Sequence, residues 1–342
     1  MLKGLNPQQI EAVIEEGNVL LTACPGSGKT RALTYKIAYE LERLTNSKKI
    51  IIAVTFTNRA ADEIKKRIRE LNADDTNLWA GTIHSFCLEW ILRPYMCYLD
   101  EIKNGFSISD EYNSENLMSE LKKTYGLNFW DSVSTKYLPN GEKEEVVYKE
   151  LLDEYHETLA SKKLIDFDQI LHYAHQLILA YPKISEILKN MFHLICVDEY
   201  QDTQQLQYAI LAKIMKGASG DCKMFFVGDS DQAIYGSLGG VAKELEVINN
   251  EFGVVFTGKE LSGNYRSNQQ IIDYYRNFQT TNIDIKALGT NANDGAIITY
   301  NRTVHKDDLT VCISEIIKQK IAEGIPEHEI CVLAPTWYLV IP

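Results

Sequence analysis

Residues 20–30 read LLTACPGSGKT, an apolar run that gives way to a glycine-rich turn and then to a lysine and a threonine. The run NVLLTA at 18–23 predicts a strand, and an amphipathic stretch from about Lys29 predicts a helix. Glycines between a strand and a helix let backbone N–H groups turn toward a phosphate at the positive end of the helix. Position 23 is Ala where the general pattern has Gly, but the context predicts a nucleotide-binding loop.

The residues of this loop predict ATP with Mg²⁺ as the ligand. In P-loop proteins a lysine reaches the β- and γ-phosphates and the next hydroxyl binds Mg²⁺, roles that fall here to Lys29 and Thr30. The residues expected to surround the nucleotide phosphates are Ala23, Cys24, Pro25, Gly26, Ser27, Gly28, Lys29, Thr30 and Arg31.

Further apolar runs predict a sheet around this loop. KIIIAVTF at 49–56, HLICVD at 193–198 and KMFFVGD at 223–229 alternate with amphipathic segments. Fully apolar strands between helices are typical of a parallel sheet that is covered on both faces. Between about 90 and 165 the pattern changes to polar, Tyr- and Glu-rich segments with helical spacing, which predict a helical insertion.

The last part of the chain predicts the start of another α/β domain. After the polar stretch at 280–295, the strand-like run AIITY (296–300), a helix near 307–323 and the strand-like run EICVLAP from Glu329 form a β-α-β pattern. Open edges of these two runs would favour association or poor order beyond about residue 280.

Composition narrows the function classes. The chain has 342 residues, 45% of them hydrophobic, which is enough for two cores or more, and its net charge of -12 argues against an indiscriminately basic nucleic-acid coat. A basic segment nevertheless occurs at 48–69, for which a solvated helix face is the alternative to nucleic-acid binding. Its cations are Lys48, Lys49, Arg59, Lys65, Lys66, Arg67 and Arg69.

The cysteines and the N-terminus indicate the compartment. Seven cysteines are scattered without a CxxC pair or a His/Cys cluster, so we expect reduced thiols and no structural metal. The N-terminus MLKGLNPQQI has no signal-like apolar region, and no apolar run is long enough for a bilayer span. We therefore expect a soluble, cytoplasmic protein.

The run LICVDEYQDT at 194–203 ends a predicted strand in two carboxylates. A P-loop NTPase needs one carboxylate to hold Mg²⁺ through water and another to activate the attacking water. Asp198 and Glu199 suit these two roles in that order. A strand that merely ends in solvated acids is the alternative, and the phosphate loop upstream argues against it.

Together with other segments, these runs resemble the N-terminal part of the UvrD/Rep/PcrA-type superfamily 1 DNA helicases. The resemblance implies a RecA-like P-loop NTPase domain at 1–90 and 165–278, a helical insertion like the 1B subdomain at 91–164, and the incomplete beginning of a second RecA-like domain at 279–342. Eight blocks carry it in the order of the family: LNPQQIEAV (5–13), ACPGSGKT (23–30), AVTFTNRAADEIKKRI (53–68), GTIHSF (81–86), LIDFDQIL (164–171), VDEYQDT (197–203), VGDSDQAIY (227–235) and NYRS (264–267).

The resemblance also implies nucleotide contacts. Gln9 would read the adenine edge, and Tyr265 would stack on the adenine; a helix-surface glutamine is the alternative for Gln9. Arg266 would reach the γ-phosphate to stabilise transition-state charge, and Gln232 would contact that phosphate and relay its presence toward DNA. The implied catalytic set is Lys29, Asp198, Glu199, Gln232 and Arg266.

A DNA site is implied by other blocks, whose hydroxyl and amide groups suit contacts to the phosphate backbone. A satisfied structural histidine is the alternative for His84, and Asp168 is expected to orient neighbouring loops. The implied DNA-binding residues are Thr57, Asn58, Arg59, Thr82, His84, Ser85 and Tyr235.

The chain differs from the family at positions that are implied in DNA binding. After VGDSDQAIY the family has a base-stacking aromatic and an arginine, whereas this chain has Ser237 and Leu238. Base stacking typically contributes about 1–3 kcal/mol per base. We therefore expect weaker binding of single-stranded DNA unless Tyr235 or an aromatic of the insertion substitutes.

Two functions follow from the resemblance. The first is an ATP-dependent DNA helicase or translocase, moving on single-stranded DNA or at a junction with duplex. Because residues 296–342 contain only one β-α-β of the second domain, we expect a fragment or a chain completed by a protein partner, with weak activity alone. The alternative is an ATP- and DNA-sensing regulatory subunit of a larger complex, for example with a defence nuclease, that does not unwind.

Overall fold

The computed structural model describes residues 2–46, 48–128, 130–234, 236, 239–301, 303–305 and 308–334. The chain divides into two compact units, Met1–Asp294 and Gly295–Pro342. The implied DNA contact Tyr235 and the departures at Ser237 and Leu238 lie outside the described residues. None of the helices within the described ranges is both long enough and apolar enough to span a membrane.

Strands and helices alternate through most of the first unit. The strands are β1 (Asn18–Ala23), β2 (Ile50–Thr55), β3 (Leu78–Thr82), β4 (Ser107–Ile108), β5 (Leu164–Ile165), β6 (Phe192–Asp198), β7 (Lys223–Gly228), β8 (Phe256–Leu261), β9 (Gly263–Asn264) and β10 (Lys286–Ala287). The helices are α1 (Pro7–Ile14), α2 (Lys29–Arg43), α3 (Asn58–Glu70), α4 (Ile83–Phe86), α5 (Arg93–Tyr95), α6 (Glu111–Thr124), α7 (Lys149–Ser161), α8 (Phe167–Ala180), α9 (Pro182–Met191), α10 (Gln205–Met215), α11 (Leu245–Phe252), α12 (Gln269–Tyr275) and α13 (Leu309–Ala322).

The central sheet has the order β3-β2-β6-β7-β1-β8, and every neighbouring pair in it is parallel. Alternate residues of the strands point to opposite faces, since side chains alternate along a strand. Phe226 belongs to the core cluster that includes residues of α8 and α10, and Phe225 belongs to the cluster that includes residues of α2 and α3. The predicted α/β fold with a parallel sheet covered on both faces is confirmed.

The candidate residues lie at the carboxyl edge of the parallel sheet. All six strands of the sheet run the same way, so the turns that follow them gather at its carboxyl edge, the usual ligand site of open α/β sheets. The phosphate loop follows β1, Asp198 ends β6, and the two blocks implied in DNA binding follow β2 and β3. One edge of the sheet therefore carries nearly all of the candidate residues.

The predicted helical insertion contains α6 and α7. These two helices share a small core of their own, formed by Leu121, Leu151, Leu152, Tyr155 and Leu159. The two-residue strands β4 and β5 pair in parallel at the base of the insertion, a feature too short for the sequence pattern to predict. Between α4 and α5 the chain forms a π-helical segment, Cys87–Leu92, which was not predicted either.

In the second unit the helix predicted near 307–323 is present as α13. The strands predicted from the runs AIITY and EICVLAP are wrong: residues 296–300 and 330–334 form no strand. A strand needs a neighbour that accepts and donates its backbone hydrogen bonds, and the described part of 295–334 contains no paired strand to supply one. Ile297 and Leu333 are accordingly 92% and 89% exposed.

Candidate functional site

The phosphate loop between β1 and α2 has a backbone that requires glycine. Gly26 and Gly28 have φ angles of +71° and +85°, in the left-handed region. A Cβ at Gly28 would lie 2.8 Å from Gln9 Nε2, and a Cβ at Gly26 would lie 2.8 Å from both Arg266 Cβ and Asn264 Oδ1. The loop is thus in close contact with two of the other blocks, through Gln9 of the first and Asn264 and Arg266 of the last, and the sequence assigned Gln9 and Arg266 to the same nucleotide.

Three successive carbonyl groups of the loop are hydrogen-bonded to residues outside it. Asn264 Nδ2 donates to the Pro25 carbonyl at 2.8 Å, the Tyr265 N–H donates to that of Gly26 at 2.9 Å, and Gln9 Nε2 donates to that of Ser27 at 3.0 Å. A carbonyl oxygen bonded in this way does not face an incoming phosphate, which it would repel. The arrangement therefore suits a loop that binds anions with its N–H groups.

Lys29, the first residue of α2, has a largely buried ammonium group. Its Nζ lies 3.3 Å from Glu199 Oε2 and 4.0 Å from Asp229 Oδ2, and its side chain is 11% exposed. These are ion-pair contacts without hydrogen-bond geometry, and Nζ finds no hydrogen-bond acceptor among the described residues. Since buried donors are normally satisfied, this group fits a phosphate oxygen as its missing acceptor.

The two adjacent carboxylates differ in environment. Asp198 ends β6 and is buried, and the Glu199 N–H donates to Asp198 Oδ1 at 3.1 Å. Burial, helped by the negative charge of Glu199 and opposed by Lys29, raises the pKa of Asp198 to about 7. A carboxyl group in such a place favours a nearby cation, so its chemistry fits the predicted role in holding Mg²⁺.

Glu199 has a strained backbone. Its φ and ψ of 52° and 51° lie in the left-handed region, which costs a residue with a Cβ about 1 kcal/mol or more. Such conformations concentrate at functional sites. Here the bend turns the chain from β6 into the short 3₁₀ turn Tyr200–Asp202 and places the Glu199 carboxylate against Lys29.

Gln201 connects the carboxylates to the turn after β7. Its Nε2 donates to Glu199 Oε2 at 2.9 Å, and its Oε1 accepts from the Asp229 N–H at 3.0 Å. Gly228 makes room for it, because a Cβ there would lie 2.2 Å from Gln201 Oε1. Asp229 Oδ2 in turn accepts from Gln232 Nε2 at 2.7 Å. The glutamine that follows the two acids therefore orients Glu199.

The residues assigned to the adenine are also brought to the loop. Asn6 Nδ2 donates to the Tyr265 hydroxyl at 2.8 Å, and the Asn6 N–H donates to Gln9 Oε1 at 3.1 Å. With its bond to Ser27, Gln9 is a buried residue that retains one N–H and one oxygen lone pair for a ligand. Tyr265 is 42% exposed, so its ring is accessible for stacking.

The residues assigned to DNA lie at the starts of two helices on the same sheet edge. Thr57 caps α3, its Oγ1 accepting from the Ala60 N–H at 3.2 Å, and Thr82 caps α4 in the same way for the Ser85 N–H at 3.2 Å. Asn58 and Arg59 are exposed in the first turn of α3. Hydroxyls and helix N-termini of this kind suit contacts to a phosphate backbone.

The basic segment at 48–69 is mostly paired with acidic residues. Four of its seven cations form ion pairs: Lys49 with Asp221, Lys66 with Glu70, Arg67 with Glu63 and Arg69 with Asp75. Exposed pairs such as the last three have modest energies and are typical of a solvated face. The structure therefore favours the solvated-face interpretation for Lys66, Arg67 and Arg69 of α3, whereas the Lys49 side chain is only 16% exposed.

His84 packs edge-on against Phe167, with ring centroids 5.5 Å apart. Burial lowers its pKa, although the charge of Asp168 opposes the shift, and this favours the neutral imidazole. Asp168 accepts a hydrogen bond from Thr135 of the insertion, in keeping with the loop-orienting role expected for it. The environment of His84 agrees with a structural role as well as with a neutral hydrogen-bonding contact.

A cavity of about 250 Å³ lies between the carboxylates and the DNA blocks. Its polar lining includes Thr55, Thr82, His84, Asp198, Glu199 and Asp202. Asp202 Oδ1 is buried and has no hydrogen-bond partner among the described residues. Residues of both predicted sites therefore line one shared cavity.

Two site residues were missed in the sequence. Asp229 is 1% exposed and contacts Lys29, Gln201 and Gln232. Asn264 is fully buried; its Oδ1 accepts from the Arg266 and Ser267 N–H groups, both at 2.8 Å, while its Nδ2 holds the phosphate loop. Asp229 lies in the block VGDSDQAIY and Asn264 in the block NYRS. The blocks were therefore a signal for both residues, but they did not show what these residues contact.

Comparisons with known proteins show the family of the chain. The model of the UvrD/REP helicase N-terminal domain matches residues 5–136 and 128–253. The chain is 30% identical to the ATP-dependent DNA helicase UvrD1 of Mycobacterium tuberculosis (strain ATCC 25618 / H37Rv), over 95% of this chain and 45% of that protein. It is also 30% identical to the ATP-dependent DNA helicase PcrA of Staphylococcus aureus (strain NCTC 8325 / PS 47), over 94% of this chain and 46% of that protein.

The chain therefore spans about half the length of these curated relatives. Among solved structures, the DUF1998 helicase MrfA bound to DNA aligns with 75% of this chain and 27% of its own, at 10% identity and a TM-score of 0.36. That likeness is too low to bear on the fold or the function.

Proposed function

Since the chain belongs to the UvrD/REP helicase family, we propose that it binds ATP with Mg²⁺ at the phosphate loop and couples ATP hydrolysis to movement on single-stranded DNA. The observation that carries this proposal is the buried Lys29 ammonium, which lies between Glu199 and Asp229 without a hydrogen-bond acceptor. An ammonium group in this place, beneath a glycine loop, is suited to the phosphates of a nucleotide.

Each residue of the cleft has a proposed task. ATP with Mg²⁺ supplies the electrophilic phosphoryl group when bound. Lys29 neutralises phosphate charge, while Thr30 and Asp198 hold the metal ion and Arg266 stabilises charge in the transition state. Glu199 accepts the proton of the attacking water, and the bond from Gln201 fixes the direction of its carboxylate.

The DNA contacts are proposed on the same edge of the sheet. Thr57, Asn58, Arg59, Thr82 and Ser85 would bind the backbone of a single strand without reading its sequence. The cavity between Thr82 and Glu199 supports communication between the two ligands, because both sites line it. A single-stranded oligonucleotide is thus expected to change the rate of hydrolysis.

A sensing subunit that binds ATP and DNA without unwinding is the second candidate. Ser237 and Leu238 favour it, since the family has a base-stacking aromatic and an arginine at these positions. For a polypeptide of these 342 residues both candidates predict slow turnover, because the family splits ATP between two RecA-like domains and its second domain supplies another arginine to the γ-phosphate besides Arg266. Such an arginine is typically worth about 10³–10⁵ in rate. A DNA-unwinding assay would separate the two.

The proposal is tested by ATP hydrolysis with and without a single-stranded oligonucleotide. We expect DNA to raise the rate, and Glu199→Gln to lower it by about 10²-fold or more while ATP affinity stays nearly unchanged, since the amide keeps the shape but accepts no proton. Glu246→Gln, an exposed residue of α11, is the matched control. Wild-type hydrolysis by Glu199→Gln would remove Glu199 as the base.

A further inference from the structure

The segment Thr280–Thr281 is held by a single carboxylate, that of Asp231. Asp231 Oδ1 accepts from the Thr280 N–H at 2.7 Å, the Thr280 hydroxyl at 2.6 Å and the Thr281 N–H at 3.1 Å, and Oδ2 accepts from the Thr281 hydroxyl at 2.6 Å. An ionised carboxylate has about four acceptor sites, so these four hydrogen bonds match its whole capacity. Burial acts to raise the pKa of Asp231, but these bonds outweigh it and lower the pKa.

Asp231 stands in the turn that also carries Gln232. Both residues belong to the 3₁₀ turn Ser230–Gln232, and both are fixed by Asp229: its Oδ1 accepts from the Asp231 N–H at 3.1 Å and its Oδ2 accepts from Gln232 Nε2 at 2.7 Å. Because one carboxylate orients both residues, a displacement of the Gln232 side chain changes the hydrogen bonding of the group that positions Asp231.

The same hydrogen-bond network reaches the catalytic carboxylate. Glu199 accepts from Gln201, Gln201 accepts from the Asp229 N–H, and Asp229 contacts Lys29 at 4.0 Å. The network is therefore continuous from Glu199 through Asp229 and Asp231 to Thr280 and Thr281. Contiguity alone does not establish coupling, which requires an element that both ends can bias.

The segment after Thr281 provides such an element, since it also packs on the phosphate loop. Ile283 and Ile285 form a small buried cluster with Cys24 of the loop and Ile272 of α12. The segment thus has two attachments to the nucleotide cleft, a polar one at Asp231 and an apolar one at Cys24. A change in either attachment alters how firmly the chain between α12 and β10 is held.

We propose that Asp231 is a positioning residue that makes the hold on Thr280–Thr281 depend on the nucleotide in the cleft. The inference rests on the proposed ATP site. When Gln232 turns to a γ-phosphate it releases Asp229, the turn Ser230–Gln232 shifts, and the four bonds from Asp231 change with it. With ADP, which has no γ-phosphate, Gln232 stays on Asp229 and the bonds remain as they are without nucleotide.

Hydrogen exchange at the Thr280 and Thr281 amides tests this inference. Exchange is measured without nucleotide, with Mg²⁺ and ADP, and with Mg²⁺ and the non-hydrolysable analogue adenylyl imidodiphosphate, while calorimetry on the same samples measures binding. We expect Asp231→Ala to speed exchange without nucleotide by about tenfold or more, because both amides lose a charged acceptor. Asp294→Asn, an exposed aspartate that follows the segment, is the matched control.

The samples with nucleotide show whether Asp231 makes the hold on Thr280–Thr281 depend on the nucleotide or only stabilises this segment. In the wild type the ATP analogue should change exchange at both amides and ADP should not; in Gln232→Ala the bond to Asp229 is absent in every state, so exchange at both amides should be the same with and without the analogue. Equal exchange in wild type and Asp231→Ala, or analogue binding with no change at 280–281, would overturn the inference and leave the ATP site intact. Failure of the wild type to bind either nucleotide would overturn the ATP site and this inference together.

Discussion

At the scale of single residues, Gln9 and Tyr265 each make a structural contact and keep other groups for a ligand. Gln9 supports the Ser27 carbonyl and still has one donor and one acceptor, and Tyr265 is held by Asn6 with its ring exposed. A side-chain amide can pair with the N6 and N7 atoms of adenine, whereas guanine presents two acceptors, O6 and N7, to the same amide.

We therefore predict that the chain prefers ATP to GTP by about tenfold, since a bidentate amide contact is worth about 1–3 kcal/mol of discrimination. Gln9→Ala should reduce the ratio of the two affinities, measured by calorimetry, toward one. Gln8→Ala is the control, because Gln8 pairs with Ser262 and not with the phosphate loop. Equal ATP and GTP affinities in the wild type would remove the adenine assignment.

The residue types of the site were readable in the sequence, but their pairings were not. The loop glycines, Lys29 and the two acids follow from chemistry that allows few substitutes. The roles of Gln201 and Asn264 depend on which strands lie side by side: Gln201 meets Asp229 only because β6 and β7 are neighbours in the sheet. Sequence spacing carries no direct information about such contacts.

At the scale of elements, a buried ionic network ties α2 to its neighbours. Lys36 Nζ donates to the Val13 and Glu15 carbonyls at 3.1 and 2.6 Å and to Glu40 Oε1 at 2.7 Å, and Glu40 Oε2 lies 2.9 Å from His193 Nε2 of β6. Burial acts to raise the pKa of Glu40, but the bond from His193 and the charge of Lys36 outweigh it and lower the pKa to about 2. The network holds the helix that carries the phosphate loop.

We predict that Glu40→Gln lowers the free energy of unfolding by about 3 kcal/mol at pH 7, because it leaves the buried Lys36 charge without its partner. The folded pKa is below the ordinary value of 4.5, so this stabilisation is present above pH 4.5 and disappears as pH falls toward 2. Urea denaturation across this range should show the two proteins converging. Glu42→Gln, exposed on the same helix, should match the wild type throughout.

The strands that are buried on both faces were predicted correctly from the sequence. β1, β2, β6 and β7 are apolar on both faces and were expected. β8 was missed, because as the edge strand of the sheet it reads FTGKEL and exposes its central residues. At 296–300 the reverse happened, because a strand was predicted and none is present. An apolar run indicates only that a segment tends to be buried, and a strand also needs a neighbouring strand to pair with.

At the scale of the whole molecule, the parallel order of the sheet accounts for the position of the site. Six strands that run the same way bring segments from residues 24 to 266 to one edge, although they are far apart in sequence. The DNA blocks follow the neighbouring strands β3 and β2, and the nucleotide groups follow β6, β7, β1 and β8. The side-by-side arrangement of the two proposed ligand sites is thus a property of the sheet topology, and the residues that follow each strand supply the chemistry.

The central claim is that this edge binds ATP through Lys29, and calorimetric titration of Mg²⁺ and ATP tests it most directly. We predict saturable binding with one site per chain and an affinity about tenfold or more weaker in Lys29→Ala, since a buried charge-assisted contact to phosphate is lost. Lys66→Ala, an exposed residue of α3, should bind as the wild type does. Equal affinities for wild type and Lys29→Ala would contradict the claim.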